Sequence, residues 1–345
     1  MTQAIVVEGL RKRFGHREVL HGLDFAVERG TVFGVIGPNG AGKTTTMRCL
    51  LDIIRPSAGS ISVLGQDPRR AGTALRRRIG YLPGELHLEH RTTGRRMLEH
   101  FEAISGTVEP GYVNDLADRL NLDLDRQTRK LSKGNKQKLG LLQAFMHQPE
   151  LLVLDEPTSG LDPLVQQVFH AMVREAVDSG TTVFLSSHVL SEVQQAADAV
   201  AILRDGEIVT VSTVEALRTA AVRQLRFTST GTEAHDVGAL LARVPGVGNV
   251  AVRELPADGH AAGAVEATAT LSGHVQPLVQ ELARLSLTDL VLEEPDLEEA
   301  VLTLYTGGPE NKPAADTGDA GSTGSTGASI NAGSSPPRAE GAHRA

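Results

Sequence analysis

"TVFGVIGPNGAGKTTTMRCLLDII", Thr31 to Ile54, opens as an apolar run, breaks into a glycine-rich loop and continues as a helix. Within it, "GPNGAGKT", Gly37 to Thr44, fits G-x-x-x-x-G-K-[ST], and it stands between a strand and a helix, as that motif requires. Gly37, Gly40 and Gly42 let backbone N–H groups curl around phosphate oxygens. Lys43 is the cation for a β- or γ-phosphate, and the Thr44 hydroxyl suits Mg²⁺. An ordinary glycine-rich strand–helix turn has no need of the Lys-Thr pair. The stretch therefore predicts a phosphate loop, with Pro38, Asn39, Ala41 and Thr45 completing the segment that touches a nucleotide.

Other apolar runs surround it. "LLVLDEP" from Leu151 is short and fully apolar, as expected of a buried parallel strand. "TTVFLSSH" from Thr181 is another. "VAILRDGEIVTV" from Val200 reads as two strands about Asp205-Gly206, a hairpin signal. Strands alternating with helices predict an α/β fold with a doubly wound parallel sheet and ligands at the strand C-termini. Between about Leu88 and Pro149 the text is helical and strand-poor, which predicts a helical insertion.

The strand ends carry chemistry. Asp155 closes an all-apolar strand, where it suits Mg²⁺, and Glu156 beside it is a candidate general base for an attacking water. Solvated carboxylates are common at strand ends, but two adjacent acids after such a strand favour the functional reading. His188 ends the next strand. A lone histidine is usually structural; three strand ends meeting on one rim favour function here.

Composition bounds the rest. The 345 residues suffice for about two domains at ~150 residues each. A net charge of -8 argues against a general nucleic-acid binder, which shows a basic footprint. Cys49 is the single cysteine, so no internal disulfide can form, and it reads as core. No apolar run approaches the ~18 residues of a membrane span. "MTQAIVVEGL" lacks the pattern of a signal peptide. A soluble cytoplasmic protein is expected.

"LSKGNKQKLGL", Leu131 to Leu141, poses a separate question. It reads as a helix start, yet its first turn carries Lys133 and Lys136, where the helix already bears partial positive charge. An anion docking there would explain it; so would a solvated charged face.

Taken in order, these motifs resemble those of the nucleotide-binding subunits of ABC transporters, over residues 1 to about 215. In that family a Leu-Ser-Gly-Gly-Gln signature precedes the second acidic motif, and "LSKGN" stands in that place, with Lys133 and Asn135 departing from it. The resemblance implies ATP and Mg²⁺ as ligands, ATP hydrolysis as the activity, and a head-to-tail homodimer. Each signature, here Ser132, Gly134 and Asn135, then caps the γ-phosphate held by the other subunit's phosphate loop. A helix N-terminus with a serine suits phosphate, and Gly134 permits close approach. The resemblance further implies Phe14 as the ring stacked on adenine, with a core role as the alternative. It places Ser159 and Asp162 in the loop crossing the dimer, His188 on the γ-phosphate, and Asp155 with Thr44 on Mg²⁺. "IGYLPGEL" matches the region of a glutamine near Mg²⁺, but Gly84 occupies that position and Glu85 follows. A positive φ at Gly84 could turn Glu85 toward the nucleotide; otherwise Glu85 faces the membrane partner.

"YLPGE", "SKGN" and a C-terminal extension resemble ATP-binding subunits of drug exporters of the daunorubicin-resistance type. That likeness implies an integral-membrane permease as partner and a place on the cytoplasmic face of the membrane. An ATP-switched relative without a transport role usually has two such domains or a long coiled coil, neither of which is seen. A P-loop GTPase would want Asn-Lys-x-Asp, and "NKQK" at Asn135 lacks the acid.

From about Val222 the text changes. Strand, helix, strand, strand, helix, strand follow, with "DLEEAVLTLY" as a closing helix: the split-βαβ order. Domains are expected at 1–218 and 222–305. Residues 306–345, with Ile330 as their only large aliphatic residue, are expected to be disordered.

Overall fold

The computed structural model describes residues 2–86, 92–106, 108–220, 222–255 and 263–293. The chain begins with β1 (Gln3–Phe14) and β2 (Arg17–Glu28), paired antiparallel, before β3 (Val32–Ile36) delivers the glycine-rich loop to α1 (Lys43–Leu50). Next come β4 (Ala58–Val63), α2 (Pro68–Arg76) and β5 (Ile79–Leu82). The stretch 92–149 contains α3 (Gly94–Ser105), α4 (Tyr112–Arg119) and α5 (Lys133–Phe145), with no strand among its described residues. The chain returns through β6 (Leu151–Asp155), α6 (Pro163–Asp178), β7 (Thr182–Ser187), α7 (Leu190–Ala196), β8 (Ala199–Arg204) and β9 (Glu207–Thr213).

Six strands form one sheet in the order β5-β6-β7-β3-β8-β9, all parallel except β9, which returns antiparallel on β8. The turn between β8 and β9 is Asp205-Gly206, both at positive φ, as the hairpin signal required. Every residue of β3, β6 and β7 is buried. Alternate side chains serve two cores. Leu152, Leu154, Val183 and Leu185 pack with the helices of the insertion and α6. Leu151, Val153, Phe33 and Phe184 pack against the sheet β2-β1-β4 and α1. Phe25, Phe33 and Phe184 stack with ring centroids 5.8–5.9 Å apart, joining the two sheets. Each such buried ring contributes about 1.5–3 kcal/mol.

The antiparallel sheet β2-β1-β4 was not anticipated from the sequence. β1 carries Arg11, Lys12 and Arg13, and its pairing with β2 shifts register four times, so its alternation is broken. Cys49 is buried, as expected, and burial pushes its thiol up to about 11.

After α8 (Val214–Ala220), β10 (Arg223–Thr230), α9 (Ala234–Leu241), β11 (Val247–Glu254), β12 (Val265–Leu271), α10 (Gln276–Leu282) and β13 (Ser286–Glu293) follow, in the order read from the sequence. Their antiparallel sheet runs β11-β12-β10-β13. Leu225, Phe227, Ala267 and Ala269 on one face meet Val237, Leu241, Leu278 and Leu282 of the two helices. The closing helix and the tail 306–345 lie outside the described residues. Among the described residues no helix is long and apolar enough to cross a membrane.

Candidate functional site

Three central strands end at one rim. β3 and β7 are in register from Val32↔Val183 to Ile36↔Ser187, and Asp155 of β6 pairs with Ser186 of β7. A cleft of about 510 Å³ opens there. It is lined by phosphate-loop residues from Pro38 to Thr45, by Asp155 and Glu156, by Gly84 and Glu85, and by Arg17 and Val19.

Gly42 caps α1 with φ 112°, a conformation an L side chain resists. This turn directs Lys43 inward, where its side chain is 6% exposed. Its Nζ donates to the Gly37 carbonyl at 2.6 Å and lies 3.3 Å from Glu156 Oε1. Thr44 Oγ1 donates to Asp155 Oδ2 at 2.6 Å, and Ser186 Oγ donates to Asp155 Oδ1 at 2.6 Å. Asp155 is wholly buried, so both carboxylate oxygens take hydroxyl partners, as a buried charge requires. A hydroxyl and a carboxylate side by side are hard oxygen donors. They fit Mg²⁺, which takes one or two protein oxygens and fills its shell with water and phosphate. Among the described residues no group of three or more His, Cys, Asp or Glu is clustered to hold a metal without such help.

Glu156 stands in the left-handed region at φ 50°. That costs a non-glycine residue about 1–2 kcal/mol. The result aims its carboxylate between two partners, with Oε1 toward Lys43 and Oε2 at 2.6 Å from His188 Nδ1. His188 is itself half exposed at the end of β7. A carboxylate held between a cation and an imidazole can accept a proton from a water in the cleft.

Gly84 answers the question its position raised. Its φ is not positive, so the expected turn of Glu85 by that route does not occur. A Cβ at Gly84 would lie 3.0 Å from Asp155 Oδ2. Close approach, not backbone handedness, calls for glycine here. Glu85 is exposed and lines the cleft.

Phe14 is 48% exposed, which corrects the core alternative. Its ring sits under Lys12, with Nζ 4.7 Å from the centroid. Phe14 pairs in the β1–β2 hairpin with Arg17, which lines the cleft.

Ser132, Gly134, Asn135 and Asp162 are placed apart from that cleft. Ser132 caps α5 by accepting from Asn135 N at 3.2 Å, and Asp162 caps α6 by accepting from Val165 N at 3.0 Å. The two starts touch through Gly160: a Cβ on Gly134 would lie 2.8 Å from the Gly160 carbonyl, and the Lys133 stem packs over Gly160. Ser159 N donates to the Glu156 carbonyl at 3.2 Å, so this loop hangs directly from the acidic strand end.

Sequence reasoning missed three residues that hold the site. Ser186 anchors Asp155 and also accepts the Glu156 N–H at 3.1 Å. Gln137 donates to two carbonyls of the acidic loop. Glu192 accepts from Thr158 and from Ser187, joining the loops after β6 and β7. Only Ser186 had a signal, its place beside "SH" at a strand end.

The family model described as "ABC transporter" matches residues 20–159. The daunorubicin resistance ATP-binding protein DrrA3 of Streptomyces coeruleorubidus is 37% identical, over 87% of this chain and 95% of its own length. The bacitracin transport ATP-binding protein BcrA of Bacillus licheniformis is 35% identical, over 60% of this chain and 69% of its own. The solved structure of the ATP-binding subunit of an ABC transporter, 30% identical, superposes with a TM-score of 0.59, covering 62% of this chain and 92% of that one. The chain belongs to the ATP-binding subunits of ABC transporters, and its activity is ATP hydrolysis coupled to transport.

Proposed function

We propose that this subunit powers a membrane exporter of drugs or other hydrophobic compounds, and that the cleft under Gly37–Thr45 is its ATP site. The observation that carries the reading is the convergence of Lys43, Asp155, Glu156 and His188 on one rim. The daunorubicin and bacitracin relatives support the class of cargo. In this reading Lys43 binds the β- and γ-phosphates, while Thr44 and Asp155 would hold Mg²⁺, which would supply neutralisation of phosphate charge. Glu156 accepts the proton of the attacking water, and His188 meets the γ-phosphate. Phe14 stacks on adenine.

Ser132, Gly134, Asn135 and Asp162 lie outside the chain's own cleft, which supports their serving a second copy's ATP in a homodimer. The implied partner is an integral-membrane permease, which holds the subunit on the cytoplasmic face. Residues 1–218 form the ATPase domain and 222–305 an accessory domain. Ending the chain near Thr219 should therefore spare nucleotide binding.

Co-expression with a candidate integral-membrane permease tests the reading. The two should co-purify, and the permease in vesicles should stimulate ATP hydrolysis. ATP hydrolysis by a chain that never associates with any membrane protein would favour the ATP-switched relatives instead.

A further inference from the structure

Glu156 adopts a backbone conformation that its side chain and its successor both oppose. Left-handed φ is uncommon outside glycine, and Pro157 further restricts the residue before it. Such a conformation persists only where the surroundings fix it. Ser186 Oγ accepts the N–H of Glu156 on one side. On the other side the fixing group comes from a different element. Gln137 Nε2 donates to the Glu156 carbonyl and to the Pro157 carbonyl, each at 3.0 Å. The Glu156 carbonyl also accepts from Ser159 N, whereas Gln137 is the side chain that meets Pro157. Gln137 is buried, at 6% exposure, so water does not compete for its amide.

Gln137 lies on α5, whose cap is Ser132. One helix therefore presents the Ser132 end outward and grips the peptide of Glu156 inward. We infer that Gln137 is a positioning residue for hydrolysis: it holds the Glu156–Pro157 backbone so that the carboxylate stays between Lys43 and His188, and it makes α5 the link between the Ser132 end and the base. This rests on the reading of Glu156 as the base. A shift of α5 displaces the Glu156 carbonyl by the same amount, and a displacement near 1 Å can cost about 100-fold in rate. Seating of α5 by an anion at Ser132 thus modulates the rate of hydrolysis in the chain's own cleft without being required for it.

Gln137→Met tests this, because methionine keeps the length and volume and removes both donors. Full-length protein is compared with Gln137→Met, Glu156→Gln and the double variant, by trinitrophenyl-ATP titration and single-turnover hydrolysis. Gln137→Met should bind the nucleotide as the parent does and hydrolyse it about 10- to 100-fold more slowly. In the Glu156→Gln background it should lower the residual rate no further, since a residue acting only through the base has nothing left to position. Gln137→Asn, which keeps the amide but is one methylene too short, should behave like Gln137→Met and guards against a folding failure of the first variant. Parent-like hydrolysis by both variants overturns the inference. Loss of binding together with turnover, or a full multiplicative loss in the double variant, overturns it too, because either marks a general structural role. If Glu156→Gln hydrolyses like the parent, the base assignment has failed, and that outcome is separate.

Discussion

Lys43 and Glu156 form an ion pair, Nζ to Oε1 at 3.3 Å, inside the cleft that both residues line. In the proposed site, the ammonium that would bind phosphate and the carboxylate that would take a proton from water thus hold each other. On the proposed reading, a triphosphate entering the cleft would compete with Glu156 for Lys43 and leave the carboxylate to His188, its other partner at 2.6 Å.

Glu156→Gln should keep nucleotide binding and lower hydrolysis by about 10²–10⁴-fold, the usual worth of a general base. The amide keeps the shape but cannot take the proton. Undigested ATP should prolong a dimer on size-exclusion chromatography. Near-normal turnover would remove Glu156 as the base.

Ser132→Arg should abolish hydrolysis while a monomer still binds ATP, because Ser132 lies outside its own chain's cleft. Mixed with Lys43→Ala, it puts both lesions in one composite site and leaves the other whole. Some activity should return in the mixture. A variant that has lost its own nucleotide binding would contradict service in trans.

Gly84→Ala should impair the site through Asp155. The new methyl would stand 3.0 Å from Oδ2, tighter than an ordinary contact. Asp155 has to give by a few tenths of an ångström, which disturbs its pairing with Thr44, so the Mg²⁺ concentration needed for half-maximal hydrolysis should rise several-fold, by about 1 kcal/mol of lost binding. Glu85→Ala separates the two roles of its neighbour. A fall in the basal rate with a higher Mg²⁺ requirement marks a ligand; loss of permease-coupled transport alone marks docking. An unchanged pair of rates would leave Glu85 with neither role.

Cys49 should resist iodoacetamide at pH 8 in the folded protein and react in denaturant. Its thiol is buried and pushed up to about 11 by that burial, so almost no thiolate exists at pH 8. A thiol raised above its ordinary value of 9.0 keeps its proton in the fold, and the associated stability fades as pH climbs from 9 toward 11. Mass spectrometry of native and denatured samples reads the difference. Equal labelling rates would show that the site opens.

The sheet was legible where physics left one choice. β3, β6 and β7 are buried on both faces, so their text is apolar without interruption. β10 alternates Leu225, Phe227 and Ser229 inward, and that period also survived reading. β1 and β2 did not, because exposed basic residues and register shifts blur their period. The charged residues of the site were legible as motifs at strand ends. The residues that aim them were not. Gln137 acts through backbone carbonyls 19 and 20 residues away, and Gly84 acts through the side chain it lacks. Neither effect leaves a pattern along the chain.

β3 carries the phosphate loop at the middle of its sheet, yet both of its neighbours come late. Ile36 pairs with Ser187 on β7 and with Ile202 on β8. The back of the loop is fastened later still, by Gly206 N donating to the Ala41 carbonyl at 3.0 Å. On a ribosome at ~5–20 residues per second, roughly 8–30 s separate the emergence of β3 from that of its first partner. During that interval "VFGVI" is an apolar strand with neither edge paired, and closing so distant a contact is intrinsically slow. A nascent chain halted before about residue 199 would hold Gly37–Thr44 without the β8 pairing and the Gly206 bond that fasten the loop in the folded protein. Its apolar β3 would stay without its β8 partner until that strand and Gly206 had emerged.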